Sequence, residues 1–232
     1  MNIHDLLNEP PKVHSDSSGN LTSWQLNDDV LYFIDKNIDS TSHTLETGAG
    51  ISTILFAIKY SHHICVVPDN YQVQRIKEYC IDTGIPIDHV KFETGVSEQV
   101  LPQSAKQDFD LVLIDGRHAF PTPFIDWYYT TPNLKIGGIV VIDDTHLWTG
   151  KVLKQFLLSE GEWQLIKNFS RSAAFAKLKE GSHEKEWINQ PFVVQNSMAG
   201  IRKEQIHYGF KLIREGKLST VLGQFAKRFG FD

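Results

Sequence analysis

Cysteine and long apolar runs are what this sequence has least of. Two cysteines in 232 residues, Cys65 and Cys80, exclude a disulfide framework and carry no metal-ligand spacing. The longest uninterrupted apolar runs, 111–114 and 139–142, fall far short of the ~18 residues a membrane-spanning helix needs, so no transmembrane segment is expected. The first eleven residues lack both the basic start and the apolar centre of a secretory signal. The expectation is a soluble cytoplasmic protein with reduced thiols. An excess of basic charge is lacking too. With 23 Lys and Arg against 28 Asp and Glu the net charge is −5, so the footprint that nucleic acid requires is absent and no such partner is expected.

What is present is enough chain, 41% apolar, for one large domain or for one domain with an appendage. The charge is uneven along it. Residues 201–232 hold seven basic and three acidic groups, a tail of +4, while residues 1–200 carry −9. A separate role for the tail follows as an expectation. Residues 1–26 read as an irregular arm, with turn chemistry at Glu9-Pro10-Pro11 and at 15–20. Asn27 is placed to cap a helix carrying Val30, Leu31, Phe33, Ile34 and Ile38 at helical spacing.

From Ser42 onward short apolar strands alternate with helical stretches, the pattern of βαβ units and a parallel sheet. Strands are expected at 44–46, 63–67, 90–93, 111–115 and 138–143, with helices at 52–60, 72–83, 123–134 and 151–158. The runs 111–114 and 139–142 are apolar on both faces, as central strands of such a sheet are. Segments 163–168 and 173–178, a short turn apart, predict a closing antiparallel pair. Residues 180–200 show no clear period. The tail then reads as helical, at 203–214 and through Leu218, Val221, Leu222, Phe225 and Phe229. Its apolar stripe suggests docking onto the domain or a homodimer through the C-terminal helices.

The stretch Thr44-Leu45-Glu46-Thr47-Gly48-Ala49-Gly50-Ile51-Ser52-Thr53 carries the most chemistry. A strand running through Gly-x-Gly into a helix lets a ligand approach backbone and aims helix N–H groups at it. Glu46 at the strand end would repel a pyrophosphate, and Thr53 stands where a dinucleotide fingerprint has its third glycine. A cationic or hydroxyl-bearing ligand is favoured. A plain tight βα turn is the alternative.

Here the sequence resembles the class I S-adenosylmethionine-dependent methyltransferase family. The first motif matches at Glu46-x-Gly48-x-Gly50. Segments 63–69, 91–102, Asp108 to His118 and Leu134 to Asp144 follow in the family's order, so the resemblance spans roughly residues 27–180. The similarity is strongest to small-molecule O-methyltransferases. It implies an α/β, Rossmann-like, doubly wound seven-stranded sheet, mostly parallel with an antiparallel closing strand, at 27–180, and a helical C-terminal extension at 181–232. It further implies a donor site at Glu46, Thr47, Gly48, Ala49, Gly50 and Ser52, completed by Asp115 and Gly116. Val67 stands where the family commonly has a ribose-binding acid, with Asp69 as its substitute, and Val96 stands near the adenine place, with Ser97 as the contact.

Asp115, Asp143 and Asp144 end two neighbouring strands at one sheet edge, although 28 positions separate the first two. Three converging carboxylates suit Mg²⁺ or Mn²⁺, which would lower the pKa of an acceptor hydroxyl. Caps and donor hydrogen bonds without metal are the alternative, and both readings stand. His118 and His146 flank the carboxylates on loops, and imidazole suits proton removal near neutral pH. His146 is slightly preferred, because Trp127 and Trp148 would wall an acceptor pocket beside it. The aromatic run 127–129 otherwise reads as packing, and Cys65 as a small buried hydrophobe.

The reading that follows is methyl transfer from S-adenosylmethionine to a hydroxyl of a small-molecule acceptor, shaped by loops at 1–23 and 180–200. Two rivals remain: another donor- or metal-dependent reaction on the same fold, such as hydroxylase-like chemistry, and a donor-binding protein without catalysis.

Overall fold

The computed structural model describes residues 1–216 apart from residues 25, 105, 106 and 182. Two compact units divide the chain, Met1–Glu184 and Lys185–Asp232.

The first unit opens with helix α1 (Ile3–Asn8), where irregular chain was expected. Its start is closed reciprocally: the Asn2 side chain accepts from the backbone N–H of His4 at 2.8 Å and of Asp5 at 3.1 Å, and Asp5 Oδ2 accepts from Asn2 N–H at 2.9 Å. Ile3 and Leu6 are buried. The next residues form a hairpin of β1 (His14–Ser15) and β2 (Leu21–Thr22), whose turn is held by Asp16 Oδ1 accepting from Ser18 and Asn20 N–H. Helix α2 (Asp28–Asn37) follows. The Asn27 side chain does not cap it, because its amide donates instead to Ser170 Oγ at 2.7 Å; the Asn27 carbonyl alone serves the first turn.

Then come β3 (His43–Thr47), α3 (Ile51–Ile58), β4 (His62–Val67), α4 (Asn70–Asp82), β5 (Val90–Thr94), α5 (Ser97–Val100), β6 (Phe109–Ile114), α6 (Thr122–Thr130), β7 (Leu134–Ile142), α7 (Trp148–Ser159), β8 (Trp163–Asn168) and β9 (Ala173–Lys177). The expected helix at 123–134 stops at Thr130. Pro132 removes a backbone donor, a 3₁₀ turn covers Thr131–Asn133, and Leu134 already belongs to β7.

One seven-stranded sheet has the order β5-β4-β3-β6-β7-β9-β8. Pairs from β5 to β7 are parallel, and β9 runs antiparallel to both β7 and β8. Helices α1 to α4 pack together over one face, where Leu6, Leu31, Ile34, Leu55 and Ile76 meet Leu111 and Leu113 in the largest apolar cluster. Helices α5, α6 and α7 adjoin one another on the other. The central strands are apolar on both faces because both are covered. Successive strands leave β3 in opposite directions, through β4 and through β6, so a crevice opens beyond the carboxyl ends at that seam.

The second unit contains α8 (Pro191–Arg214). It starts 12 residues before the expected helix at 203, with Pro191 in its first turn, where a missing N–H costs nothing. The expected apolar stripe from Leu218 to Phe229 lies outside the described residues. No helix among the described residues is long and apolar enough to cross a membrane.

Candidate active site

A cavity of about 520 Å³ occupies the crevice, within the 300–1,000 Å³ typical of ligand sites. Its floor is the glycine turn between β3 and α3. Gly48 takes φ of +90°, a conformation that favours glycine, and a Cβ there would come within 2.2 Å of the Asp115 carbonyl oxygen. Glycine lets β3 and β6 close on each other at the seam.

Behind this turn Glu46 is fully buried. It accepts hydrogen bonds from Ser52 Oγ at 2.6 Å and from Thr53 Oγ1, while His63 Nε2 lies 3.2 Å away. Thr53 Oγ1 in turn accepts from the Gly50 N–H at 3.0 Å. The carboxylate thus fixes the first turn of α3 through two hydroxyls. With His63 and Cys65, Glu46 makes the one group of three potential metal ligands, among the described residues, whose ligand atoms lie within 4.8 Å of one another. Burial and the Glu46 charge push the Cys65 thiol well above its ordinary range, so the sulfur stays protonated, a poor metal ligand. Cys65 is fully buried, as its place in an apolar strand predicts.

At the other side of the seam, Asp115 and Asp143 continue the parallel ladder: Asp115 N–H donates to Thr47 O at 3.1 Å and Asp143 N–H to Ile114 O at 3.0 Å. Burial, followed by the charge of Asp143 and then of Glu46, pushes the Asp115 carboxyl well above the usual range. Asp143 accepts from Ser172 Oγ. Asp144 takes φ of +49°, and close beneath it Gly150 leaves room for its carbonyl, which a Cβ would approach to 2.6 Å. Its carboxylate meets Arg171 Nη2 at 2.5 Å, His118 Nε2 at 3.2 Å and His146 Nδ1 at 3.5 Å. The three carboxylates do not gather as one three-ligand group. Two donors, Ser172 and Arg171, relieve their repulsion, and Arg171 takes the place a cation would fill at Asp144. As arranged, they do not fit a metal shared by all three.

Of the residues singled out from sequence, Gly48, Ala49, Gly50, Ser52, Ser97, Asp115, Gly116, His118, Asp143 and Asp144 line this cavity. Glu46 and Thr47 lie behind it, Thr47 Oγ1 donating to the buried Asp126 at 2.7 Å. Asp69 stands aside: it caps α4 by accepting from Tyr71 N–H at 2.8 Å and pairs with Arg75 at 3.4 Å. His146 is not on the lining. The expected wall of Trp127 and Trp148 is absent from it as well. Trp127 is buried against Phe156 and His183, with ring centroids 5.1 and 4.3 Å away, while Trp148 is exposed and nearest Phe120. Lining residues that sequence reading missed are His14, Trp24 and Leu26 from the N-terminal segment, Gln72 from α4, and Arg171 from the β8–β9 turn.

Residues 45–145 match the family described as a methyltransferase domain. No curated protein matches the chain in sequence. Among solved structures, the chain is similar to a candidate caffeoyl-CoA O-methyltransferase from Staphylococcus aureus, at 16% identity over 68% of this chain and 86% of that one, with TM-score 0.58. An O-methyltransferase from Bacillus cereus in complex with SAH is 15% identical over 76% and 90%, with TM-score 0.55. An rRNA methylase from Streptococcus thermophilus is 13% identical over 68% and 99%, with TM-score 0.52. The seam, its glycine turn and these solved structures place the first unit in the Rossmann-like fold that methyltransferases share, and the methyltransferase-domain match spans residues 45–145 of it.

Proposed function

We propose that the protein transfers the methyl group of S-adenosylmethionine to a hydroxyl of a small molecule, with His118 receiving the proton. The single observation that carries this is the pairing of His118 with Asp144 on the wall of the cavity that also holds the glycine turn. Similarity in fold to solved O-methyltransferases, one of them in complex with SAH, supports the donor and the oxygen acceptor.

Bound S-adenosylmethionine supplies a methyl group on a sulfonium, already activated toward an oxygen nucleophile. The chain's task is alignment and proton removal. Gly48, Ala49 and Gly50 offer side-chain-free backbone, and Glu46, through Ser52 and Thr53, keeps that backbone in one conformation. Most of the acceleration comes from holding the acceptor in line. Asp144 faces His118 Nε2, orients the ring and stabilises the imidazolium formed when a proton arrives. Arg171 holds the second oxygen of Asp144 and keeps it turned toward the histidine.

The test is calorimetry with S-adenosylhomocysteine, then an acceptor screen by mass spectrometry. Binding followed by a mass gain of one methyl on a hydroxyl compound supports the reading. No binding at millimolar ligand, or methylation confined to nucleic acid, overturns it.

A further inference from the structure

The N-terminal segment reaches across to the glycine turn through one imidazole. His14 Nε2 lies 3.0 Å from the carbonyl oxygen of Ala49, and its Nδ1 lies 3.2 Å from the backbone nitrogen of Trp24. A carbonyl only accepts and a backbone N–H only donates. The pair therefore fixes the ring as the neutral tautomer with its proton on Nε2. Gly50 leaves the space: a Cβ there would stand 2.9 Å from His14 Cε1. Helix α4 fastens the same two pieces. Gln72 Nε2 donates to the Ala49 carbonyl at 2.6 Å, and Arg75 Nε donates to the Val13 carbonyl at 2.8 Å while Asp69 holds its guanidinium. His14, Trp24 and Leu26 all line the cavity, and Trp24 remains 60% exposed.

We propose that His14, Trp24 and Leu26 form a wall of the donor site and that neutral His14 is its positioning residue, holding the Ala49 carbonyl and the Trp24 backbone in register. The proposal rests on the reading of this cavity as the site for an S-adenosyl ligand. Protonating His14 places a second N–H against that of Trp24, so the wall detaches on its Trp24 side. Burial, and secondarily the Arg75 charge, hold the His14 pKa below the ordinary imidazole value; Arg75 of α4, itself paired with Asp69, is the charged group that faces the ring. Acid, then, loosens the grip on the donor.

The full-length protein is titrated with S-adenosylhomocysteine at pH 7.5 and pH 5 as wild type, His14→Ala, His14→Gln and Trp24→Ala, with thermal melts alongside. The wild type is expected to weaken about tenfold at the acid pH, as the loss of one well-placed hydrogen bond implies. His14→Ala is expected to bind about tenfold more weakly at pH 7.5, and His14→Gln, which cannot titrate, to show less pH dependence than the wild type. Trp24→Ala removes an exposed side chain, keeps the fold, and is expected to bind several-fold more weakly without the change in tryptophan emission that the ligand causes in the wild type. Variants that bind as the wild type at both pH values overturn the inference while the donor site stands. A wild type that binds no S-adenosylhomocysteine at either pH overturns the donor reading, and the inference with it.

Discussion

Two acidic groups flank the seam between β3 and β6, and they are built in opposite ways. Glu46 is sealed behind the glycine turn, and the partners around it are two hydroxyls and an imidazole of the core. Asp144 stands on the cavity wall, and its partners are the solvent-exposed Arg171 and the half-exposed His118. A buried carboxylate with short, neutral donors holds backbone in place; a wall carboxylate with ionisable partners can respond to a proton. The contrast separates a part that shapes the site from a part that works in it.

The sharpest way to break that contrast is at the histidines. His118→Ala is expected to lower turnover at least about a hundredfold, the scale of lost general-base catalysis, with affinity for S-adenosylhomocysteine unchanged. His146→Ala, at a ring off the cavity, should change turnover less than about threefold, the size of a loose surface interaction. Equal losses in steady-state assays of the two variants would erase the distinction.

On the buried side, Glu46→Ala leaves Ser52 and Thr53 without their acceptor and opens a void. Chemical denaturation should show a loss of about 3 kcal/mol. A variant as stable as the wild type would mean that Glu46 does not hold the turn.

Asp126 lies behind both regions, taking the Thr47 hydroxyl and standing 3.2 Å from where a Gly116 Cβ would be. Burial raises its carboxyl pKa to about 6. Because the folded value exceeds the unfolded one, the group favours the fold most below pH 3.8, and that advantage is lost as pH rises through 6. Asp126→Asn cannot ionise. It should gain up to about 3 kcal/mol over the wild type at pH 7.5 and little at pH 4, read from melts at both.

A modest effect is expected of Arg171→Gln. Its pair with Asp144 is half exposed, so turnover should fall less than about tenfold. A larger fall would make Arg171 a direct contact of the acceptor rather than a support for Asp144.

The positions of the strands, the glycine turn and the trio of acids are legible in the sequence because each is local: an apolar run ending in Asp, or Gly-x-Gly after a strand. Which acid meets which partner is not. Arg171 and Ser172 reach Asp144 and Asp143 from a turn 27 and 29 positions later, a distance set by the antiparallel insertion of β9 beside β7. Likewise, His14 meets Ala49 across 35 positions. The signal for α1 was present, with Asn2 and Asp5 three apart before Ile3, Leu6 and Leu7, but six residues ahead of two prolines read as irregular chain. Preference for His146 over His118 rested on two tryptophans whose rings point elsewhere.

The insertion of β9 between β7 and β8 also sets when the site can exist during synthesis. Asp144 leaves the ribosome long before Arg171 and Ser172, and the strand that carries them into place ends at Lys177. The segment that carries His14, Trp24 and Leu26, by contrast, is made before any strand of the seven-stranded sheet. The cavity therefore closes from both ends of a unit of 184 residues, and a fragment cut short at either end keeps most of the sheet yet loses one side of its pocket.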